Sequence, residues 1–412
     1  AAGTVTVNGT MRANGGGRVS IVDSGGSGGS IYITCDRLAG SPSGLIQATG
    51  EATTHNGNSG GGGRVAVVYN PASQAGVNPG VRLEAAGGSG AGCYTPRRQG
   101  PWEDGTLYLP DRTFLSENLA SNLFNGARVF IPGWTNWNLD SLTIQNCNLT
   151  VGQKDFPLTV TNRLLIGSGG KLTLTGNSRL ICGGLTVTNG GILNIWSGPT
   201  NAVDYGAFVS VAQNLSVASN SWIYCRSDGD NGGSPLFRTL AMDVAAGGGM
   251  DADIWGFAAL KGYGRGTYYN GAAGHAGPGT ASGAGVSYGS SNAPVNPGSG
   301  GGGTESSEGG GAIRLDVTLT VTLDGTLKAN SWNAPGIHHG GGSGGSIFVK
   351  CYRIRGATNG LMSANGGGNG WNGGGGSGGR IAVNTVYSLY SGSCSVTPGI
   401  GGYGSLSGYV GT

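Results

Sequence analysis

The residues best suited to chemistry form a short acidic cluster that follows Tyr224 and Cys225. Asp228, Asp230 and Asn231 place two carboxylates and one amide oxygen within four residues, and the flanking glycines permit a tight turn. Hard oxygen ligands of this kind suit Ca²⁺, although the distal glutamate of the EF-hand pattern is missing. The cluster therefore predicts a Ca²⁺ site at Asp228, Asp230 and Asn231, with an ordinary polar turn as the alternative.

A second acidic pair, Asp251 and Asp253, lies a short distance along the chain. Alternate residues of a strand share one face, so the two carboxylates would point the same way. If they converge with the first cluster, the carboxylates form an acidic catalytic face. The nearby side chains of Lys261 and Arg265 would then be candidates for the catalytic base. The residues of this catalytic hypothesis are Asp228, Asp230, Asp251, Asp253, Lys261 and Arg265. The alternative is an exposed loop with solvated charges.

Four tryptophans are candidates for carbohydrate binding, because exposed planar rings can stack on sugars. Trp134 and Trp137 occur together in PGWTNWN. Trp332 and Trp371 belong to a repeat whose first copy has other residues at the matching positions, so the repeat itself does not require them. Burial in the core is the alternative for each of them.

Several function classes are excluded or unsupported. No nucleotide-binding, zinc-protease or serine-hydrolase motif is present, since loose glycine patterns match trivially in so glycine-rich a chain. His338 and His339 are adjacent, so in a strand they face opposite ways. The net charge of +3 gives no electrostatic case for nucleic acid. No stretch has the roughly 18 uninterrupted apolar residues of a membrane helix.

The elements that must position these residues are set by an unusual composition. Glycine accounts for 89 of 412 residues and charged residues for only 10%, whereas hydrophobic residues make up 37%. The hydrophobic content excludes a low-hydrophobicity, highly charged disordered chain. Glycine without a strict third-residue period excludes collagen.

An internal duplication organises the chain. Residues 5–70 align without a gap onto residues 321–386, with Cys35 matching Cys351. Within each copy, strand-like cores recur every 34 residues, at Ile313, Ile347 and Ile381 in the second copy. A fixed period in this range predicts a solenoid in which each turn buries its apolar face on the next.

The middle of the chain repeats LTV-like strands, at Leu158, Leu185, Leu215 and Leu240. Their spacing suits the turns of a right-handed parallel β-helix. The predicted fold is therefore all-β, a right-handed parallel β-helix or β-solenoid with glycine-rich, polyglycine-type sectors and an internal duplication. Four segments are predicted: a first glycine-rich copy (1–110), a β-helix section (111–249), a glycine-rich insertion (250–311) and a second copy (312–412).

The glycine runs are expected to be packing elements. Long glycine tracts are normally flexible linkers. Here they recur at a fixed phase before each strand, which favours backbone packed on backbone where side chains would clash. Polyglycine strands or extended polyglycine helices with lateral hydrogen bonds fit this pattern, and mobile loops are the alternative.

The seven cysteines have an odd count and no tight spacing, so they do not predict a disulfide framework or a zinc site. Most are expected to be buried thiols. A single disulfide between Cys182 and Cys225 is left open.

The phrases around SANGG and GGSGGSI resemble glycine-rich β-solenoid segments of large bacterial secreted and cell-surface proteins, over residues 1–110 and 250–412. This resemblance implies an extracellular or cell-surface setting and a structural or adhesive role, with no catalytic residues to transfer. The central LTV section resembles the parallel β-helix of polysaccharide-active proteins in architecture.

The duplication leaves the first copy without a match for the strand at Ile313 and the second without a match for the strand at Leu107. Open solenoid edges predict association of copies end to end into a homopolymeric fibre, with an ordered fragment of a much longer surface protein as the alternative. The expected function is thus a non-catalytic extracellular structural or adhesive protein that self-associates. The alternative is a polysaccharide lyase or glycoside hydrolase that acts in the β-helix groove on a polysaccharide ligand.

Overall fold

The structure is a computed structural model, and it describes residues 2–16, 25–52, 59–88, 104–120, 123–197, 206–303, 307–334, 338–368, 372–402 and 406–412. Within these ranges nearly all regular structure is β, as predicted. One four-residue helix, α1 (Pro71–Gln74), begins at a proline and is capped by the Asn70 side chain, which accepts from the backbone N–H of Ala72.

The strands are short and follow one another closely along the chain. In the first part they are β1 (Ala2–Val7), β2 (Thr10–Arg12), β3 (Ser30–Gly40), β4 (Leu45–Gln47), β5 (Arg64–Val68), β6 (Arg82–Glu84), β7 (Gly105–Tyr108), β8 (Asn118–Leu119), β9 (Phe124–Phe130), β10 (Trp137–Gln145), β11 (Asn148–Val151), β12 (Pro157–Gly167) and β13 (Lys171–Leu174). In the second part they are β14 (Arg179–Val187), β15 (Ile192–Trp196), β16 (Phe208–Val217), β17 (Trp222–Arg226), β18 (Leu236–Val244), β19 (Gly249–Asp251), β20 (Ala312–Leu323), β21 (Thr326–Lys328), β22 (Ser346–Gly356), β23 (Leu361–Ser363), β24 (Arg380–Tyr390) and β25 (Ser393–Ser395).

These strands form two parallel sheets, of 16 and 9 strands, so the fold is a parallel β-solenoid. The chain divides into two compact units, Ala1–Gln153 with Ile166–Leu174, and Lys154–Leu165 with Thr175–Thr412. Unit 1 contains the order β1-β3-β5-β7-β9-β11-β13, with β2-β4-β6 joining at β9. Unit 2 contains the orders β14-β16-β18-β20-β22-β24 and β15-β17-β19-β21-β23-β25. The four-segment division from the sequence stays a prediction.

The core of unit 2 is a ladder of apolar side chains stacked from turn to turn. Leu185 pairs with Leu215, Leu215 with Met242, and Met242 with Val321, and all four are fully buried. Each such side chain contributes about 1.5–3 kcal/mol of hydrophobic stabilisation. The sequence repeat begins its LTV-like strands at Leu215 and Leu240, but the residue that pairs with Leu215 is Met242. The register shifts between β16 and β18, and Leu240 is 41% exposed.

The duplication is preserved residue for residue in the strands. The bounds of β2, β3 and β4 recur 316 positions later as those of β21, β22 and β23. The register recurs as well: Met11 pairs with Ile46, and the matching Leu327 pairs with Met362. The two copies therefore adopt the same local structure.

An asparagine ladder accompanies the strands and explains why asparagine recurs in the repeat. In unit 1, the side-chain oxygen of Asn14 accepts from the backbone N–H of Thr49 at 3.1 Å. In unit 2, the oxygen of Asn330 accepts from Asn365 N–H at 2.8 Å, and that of Asn365 from Thr397 N–H at 2.8 Å. Each bond satisfies a backbone donor just beyond a strand end.

The glycine-rich sectors are extended segments with hydrogen bonds that repeat every third residue. In the segment 340–345, residues three apart donate backbone N–H bonds to the same neighbouring segment. The donor and acceptor residues are Gly340 and Gly302, Ser343 and Ser299, Gly341 and Gly374, Gly344 and Ser377. Three residues per turn is the period of a polyproline II-type helix. The polyglycine-type arrangement predicted from the sequence is therefore present.

The segment 374–379 shows the same period. Its donors lead to three different neighbours, which supply the carbonyl pairs Asn270 and Ala273, Leu406 and Tyr409, Gly367 and Ala364. Each glycine segment is thus bonded on several sides. For the described glycine segments, packing is confirmed over the mobile-loop alternative.

Glycine is required at these positions because neighbouring backbones touch. A Cβ atom at Gly345 would overlap the carbonyl oxygen of Gly311, and one at Gly341 would overlap the carbonyl oxygen of Gly367. These contacts involve backbone atoms, which cannot rotate away as the end of a side chain can.

We predict that Gly345→Ala lowers the free energy of unfolding by about 2–3 kcal/mol, since overpacking a close-packed site forces the backbone to shift. Gly184→Ala is the matched control in the same unit, because its Cβ would meet only the Asn214 carbonyl oxygen, at 3.9 Å. Gly184→Ala should change the free energy of unfolding by no more than about 0.5 kcal/mol. Urea denaturation of both variants measures the difference, and equal stabilities would contradict the packing role.

Candidate functional site

The candidate site is a row of side chains on three neighbouring, hydrogen-bonded strands of unit 2, β17, β19 and β21. Tyr224, Asp251 and Lys328 occupy the same register position on successive strands. Their neighbours Ile223, Met250 and Leu327 alternate into the core and are fully buried. Strand alternation therefore directs the polar residues to the outer face together.

Lys328 joins both carboxylates of the second acidic pair. Its Nζ lies 2.9 Å from an oxygen of Asp251 and 3.1 Å from an oxygen of Asp253. The three side chains are only 13–29% exposed. The other Asp253 oxygen accepts from Asn330 N–H at 2.6 Å, and Asp251 accepts from Asp253 N–H at 2.8 Å. The two aspartates thus converge on Lys328, although Asp253 lies in the turn that follows β19 (Gly249–Asp251).

Burial and charge act on the pKa values of this cluster in opposite directions. Burial raises the pKa of Asp253, and the negative charge of Asp251 adds to the effect, against the attraction of Lys328. Burial disfavours the charged amine of Lys328, but the two aspartates outweigh it and raise its pKa. Both aspartates are thus engaged with one internal cation. The three side chains form an ion-pair cluster in which Lys328 is the cation that binds both aspartates.

Lys328 was missed because it lies far along the chain from the aspartates. The sequence hypothesis assigned them Lys261 and Arg265 instead. The signal that could have found it is the alignment of the turns: Gly249-Met250-Asp251 matches Thr326-Leu327-Lys328, strand for strand.

The aromatic residues beside this row surround an arginine. The Arg226 guanidinium carbon lies 4.0 Å from the ring centroid of Trp255, 4.9 Å from that of Trp196 and 5.4 Å from that of Tyr224. Trp196 and Trp255 pack edge to face at 5.0 Å. Stacked, partly buried contacts of this kind stabilise the cation by about 0.5–2 kcal/mol each. These rings are therefore occupied by an internal partner.

The first acidic cluster forms a self-capped turn. The Asp228 side chain accepts from the backbone N–H groups of Asp230 and Asn231 at 3.0 and 2.8 Å, and from the Asn231 amide at 3.0 Å. Asp230 pairs with Lys261 at 3.2 Å, with both side chains more than half exposed. An exposed pair of this kind contributes little. The two acidic pairs thus have separate lysines, and Arg265 is exposed.

Within the described ranges, no three His, Cys, Asp or Glu side chains gather in a way that could hold a metal ion. One of the two Asp228 side-chain oxygens, Oδ1, accepts three hydrogen bonds. The Ca²⁺ site stays a prediction, and the polar-turn alternative accounts for the contacts observed.

The candidate sugar-binding tryptophans differ in their surroundings. Trp134 and Trp137 are 6% and 1% exposed and pack edge to face at 5.7 Å. Trp134 also lines a surface pocket of about 270 Å³ together with Arg112. Trp332 donates its indole N–H to Glu308 at 2.8 Å, and Trp371 lies outside the described residues. Carbohydrate binding stays a prediction, and for Trp137 the accessible ring is minimal.

The cysteines are free thiols wherever they are described. Cys182 and Cys225 are both buried and unbridged, so the disulfide left open by the sequence does not form. Burial raises the pKa of the Cys182 thiol to about 12 and that of Cys147 to about 11. Cys394 is exposed. The prediction of mostly buried thiols is confirmed for the described cysteines.

His275, which the sequence pattern left isolated, is fully buried in the glycine-rich insertion. Its Nδ1 donates to the Gly344 carbonyl at 2.7 Å, and its ring stacks on Tyr288 at 4.6 Å. Its Nε2 has no hydrogen-bond partner among the described residues. Burial, together with the positive charge of Arg380, lowers its pKa to about 4 despite the bond to Gly344.

Comparisons with protein-family models, with curated proteins and with solved structures found no match. Among the described residues, no helix has the length and apolar character to cross a membrane.

We predict that stability falls as the pH drops from 6.5 towards 4. The folded state keeps His275 neutral, with a pKa of about 4, whereas the unfolded chain binds a proton near pH 6.5. The unfolded state thus binds more protons between pH 6.5 and pH 4. The free energy of unfolding is therefore lower by about 3 kcal/mol near pH 4.

Urea denaturation at pH 7.5 and pH 4.5 measures this loss. His275→Asn keeps a donor near the Nδ1 position but cannot titrate, so the variant should lose about 2–3 kcal/mol less than the wild type between the two pH values. An identical pH dependence in both proteins would contradict the assignment.

Proposed function

We propose that this chain is a non-catalytic extracellular protein with a structural or adhesive role. We further propose that copies of the chain associate end to end into a fibre. A solenoid grows by adding turns, so an uncovered turn can be continued by a turn of another copy. Heterologous contacts whose rotation does not close into a ring produce filaments.

The observation that carries the proposal is the exposure of core positions at two strand edges. Met11 is 38% exposed, whereas Leu327 at the same position of the second copy is fully buried. Cys394 is exposed, whereas its in-register neighbour Met362 is 1% exposed. Residues that the repeat places in the core are thus left in solvent at one edge of unit 1 and one edge of unit 2.

The interior supports a structural role. Glycine segments bonded on several sides give a dense hydrogen-bonded interior. Buried glycine backbones lose their main source of flexibility, namely free rotation of φ and ψ. A rigid interior is what a fibre subunit requires.

The enzymatic alternative, a polysaccharide lyase or glycoside hydrolase, has less support. A glycosidase needs one carboxyl group free to donate a proton and a second free to act as base or nucleophile. Asp251 and Asp253 instead share Lys328, and Asp253 also accepts from Asn330 N–H. We therefore favour the structural function.

The purified chain is expected to form filaments as its concentration rises, and Ser388→Lys is expected to prevent them. Ser388 is exposed, but it pairs with Ile354, which is 1% exposed, so an added turn would bury the new lysine without a partner. An unpaired buried charge costs several kcal/mol. The concentration needed for assembly should therefore rise at least about 100-fold.

Leu389→Lys is the matched control. Leu389 is the next residue, lies on the opposite face and is 67% exposed, so its lysine stays in solvent and filaments persist. Light scattering over a concentration series and negative-stain electron microscopy measure assembly. Wild-type chains that remain dispersed monomers at high concentration would overturn the proposal.

A further inference from the structure

We infer the register of the contact between copies: strand β1 of one copy pairs in parallel with the second half of β24 of another, and β2 pairs with β25. This inference rests on the proposed fibre and specifies its interface. It makes Thr6 of the incoming copy the direct neighbour of Leu389, and Met11 the direct neighbour of Cys394.

The free edge of β24 is divided into an occupied and an open part. Its beginning is taken by the same chain, because Ile381 N–H donates to the Thr412 carbonyl at 2.7 Å and Thr412 N–H donates to Gly379 at 3.1 Å. From Thr385 to Tyr390 this edge has no pairing partner in the part of the chain that the structure describes. The open part is therefore the second half of the strand.

Strand β1 matches that half. It pairs with Cys35–Gly40, the second half of β3, whereas the first half of β3 has no strand partner on that side among the described residues and pairs with β5 on the other. The strand β22 is the repeat equivalent of β3, and its second half pairs with residues 385–390 of β24. A copy of β1 placed on β24 would therefore cover the open half and stop short of Thr412.

The second copy of the repeat shows that the β1 position normally has neighbours on both sides. Val321, the equivalent of Val5, pairs with Met242 on one side and Ile354 on the other and is fully buried. Among the described residues, Val5 pairs with Leu38 on one side alone. A strand of the same repeat type would therefore fit the other side of β1.

The repeat fixes the alignment. Thr322 pairs with Arg355, and Arg355 pairs with Leu389. One further step of the same register brings the equivalent of Thr322, which is Thr6, next to Leu389. In the other sheet, Leu327 pairs with Met362, and Met362 pairs with Cys394. One further step of this register places Met11, the equivalent of Leu327, next to Cys394.

The edges of β1 and of the second half of β24 are also free of the devices that block pairing, whereas β2, which reads TMR, carries Arg12. Natural edge strands are protected by charged residues, proline or bulges. Strand β1 reads AGTVTV, and residues 381–390 of β24 read IAVNTVYSLY, without a charge or a proline. Strand β25 reads SCS. Uncharged, extended edges of this kind fit a second copy of the chain as their occupant.

The test is a pair of double-cysteine variants, made in a chain that carries Cys93→Ser and Cys394→Ser. Thr6→Cys with Leu389→Cys places two thiols on exposed positions that the register makes adjacent. Neighbouring strands are about 4.8 Å apart, which lies within the Cα separation that a disulfide allows. Oxidation of assembled protein by diamide, which takes up the two hydrogens, should give a ladder of dimers, trimers and longer species in gels run without reductant.

The matched control is Thr4→Cys with Leu389→Cys. Thr4 is also exposed and lies on the same face, but two residues away, so its Cα would be about 8 Å from that of residue 389. The amount of cross-linked species should be at least about 10-fold lower than with Thr6→Cys and Leu389→Cys. A second pair, Met11→Cys with the native Cys394, is made in a chain that carries only Cys93→Ser, and it should give a ladder that adding Cys394→Ser abolishes.

Electron microscopy of the same samples separates the two claims. Filaments with a ladder specific to Thr6→Cys support the register. Filaments with equal ladders in both variants, or with none, overturn the register and leave the fibre standing. The absence of filaments overturns both.

Discussion

Direct contact between backbones, which glycine alone permits, is the constraint on which the rest of the structure depends. In the segment 340–345 the backbone donates to two neighbouring segments with a three-residue period. A Cβ atom at Gly341 or Gly345 would occupy the space of a neighbouring carbonyl oxygen. The strands β20, β22 and β24 begin where such segments end, so the glycine packing and the sheet register are set together.

Charge has a subordinate part in this arrangement, and several charged groups near the candidate site bind other groups of the same chain. Lys328 holds Asp251 and Asp253, and Arg226 lies among aromatic rings. Arg380 is 7% exposed and donates to backbone carbonyls of His275 and Tyr288. The polar groups that looked most like a site thus bind one another across turns of the solenoid. The surfaces left unsatisfied are strand edges, which is why the proposed function is assembly.

Repetition made the fold predictable. The match of Cys35 to Cys351, together with the 34-residue step, predicted strands whose bounds recur in both copies. The phase of the glycine runs predicted backbone packing. The exception is Leu240. Met242 rather than Leu240 pairs with Leu215, and the register between β16 and β18 shifts by one residue between Val211 and Asn214, which the sequence repeat does not signal.

The site was less predictable because its partners are close in space and remote in sequence. Asp251 and Asp253 were recognised, but their cation, Lys328, is supplied by the next turn after the glycine-rich insertion. His275 belongs to no periodic pattern, and only its burial and its bond to Gly344 reveal its role. Single residues inside an insertion carry no repeat signal, so only the folded structure shows what surrounds them.

Amide hydrogen exchange of residues 340–345 and 374–379 tests the central claim most directly, because it measures whether glycine backbones are held by hydrogen bonds or open to water. Packed segments bonded on several sides should exchange as slowly as the adjoining strands β22 and β24. Exchange at the rate of an unstructured glycine peptide, with the strands still protected, would contradict the account.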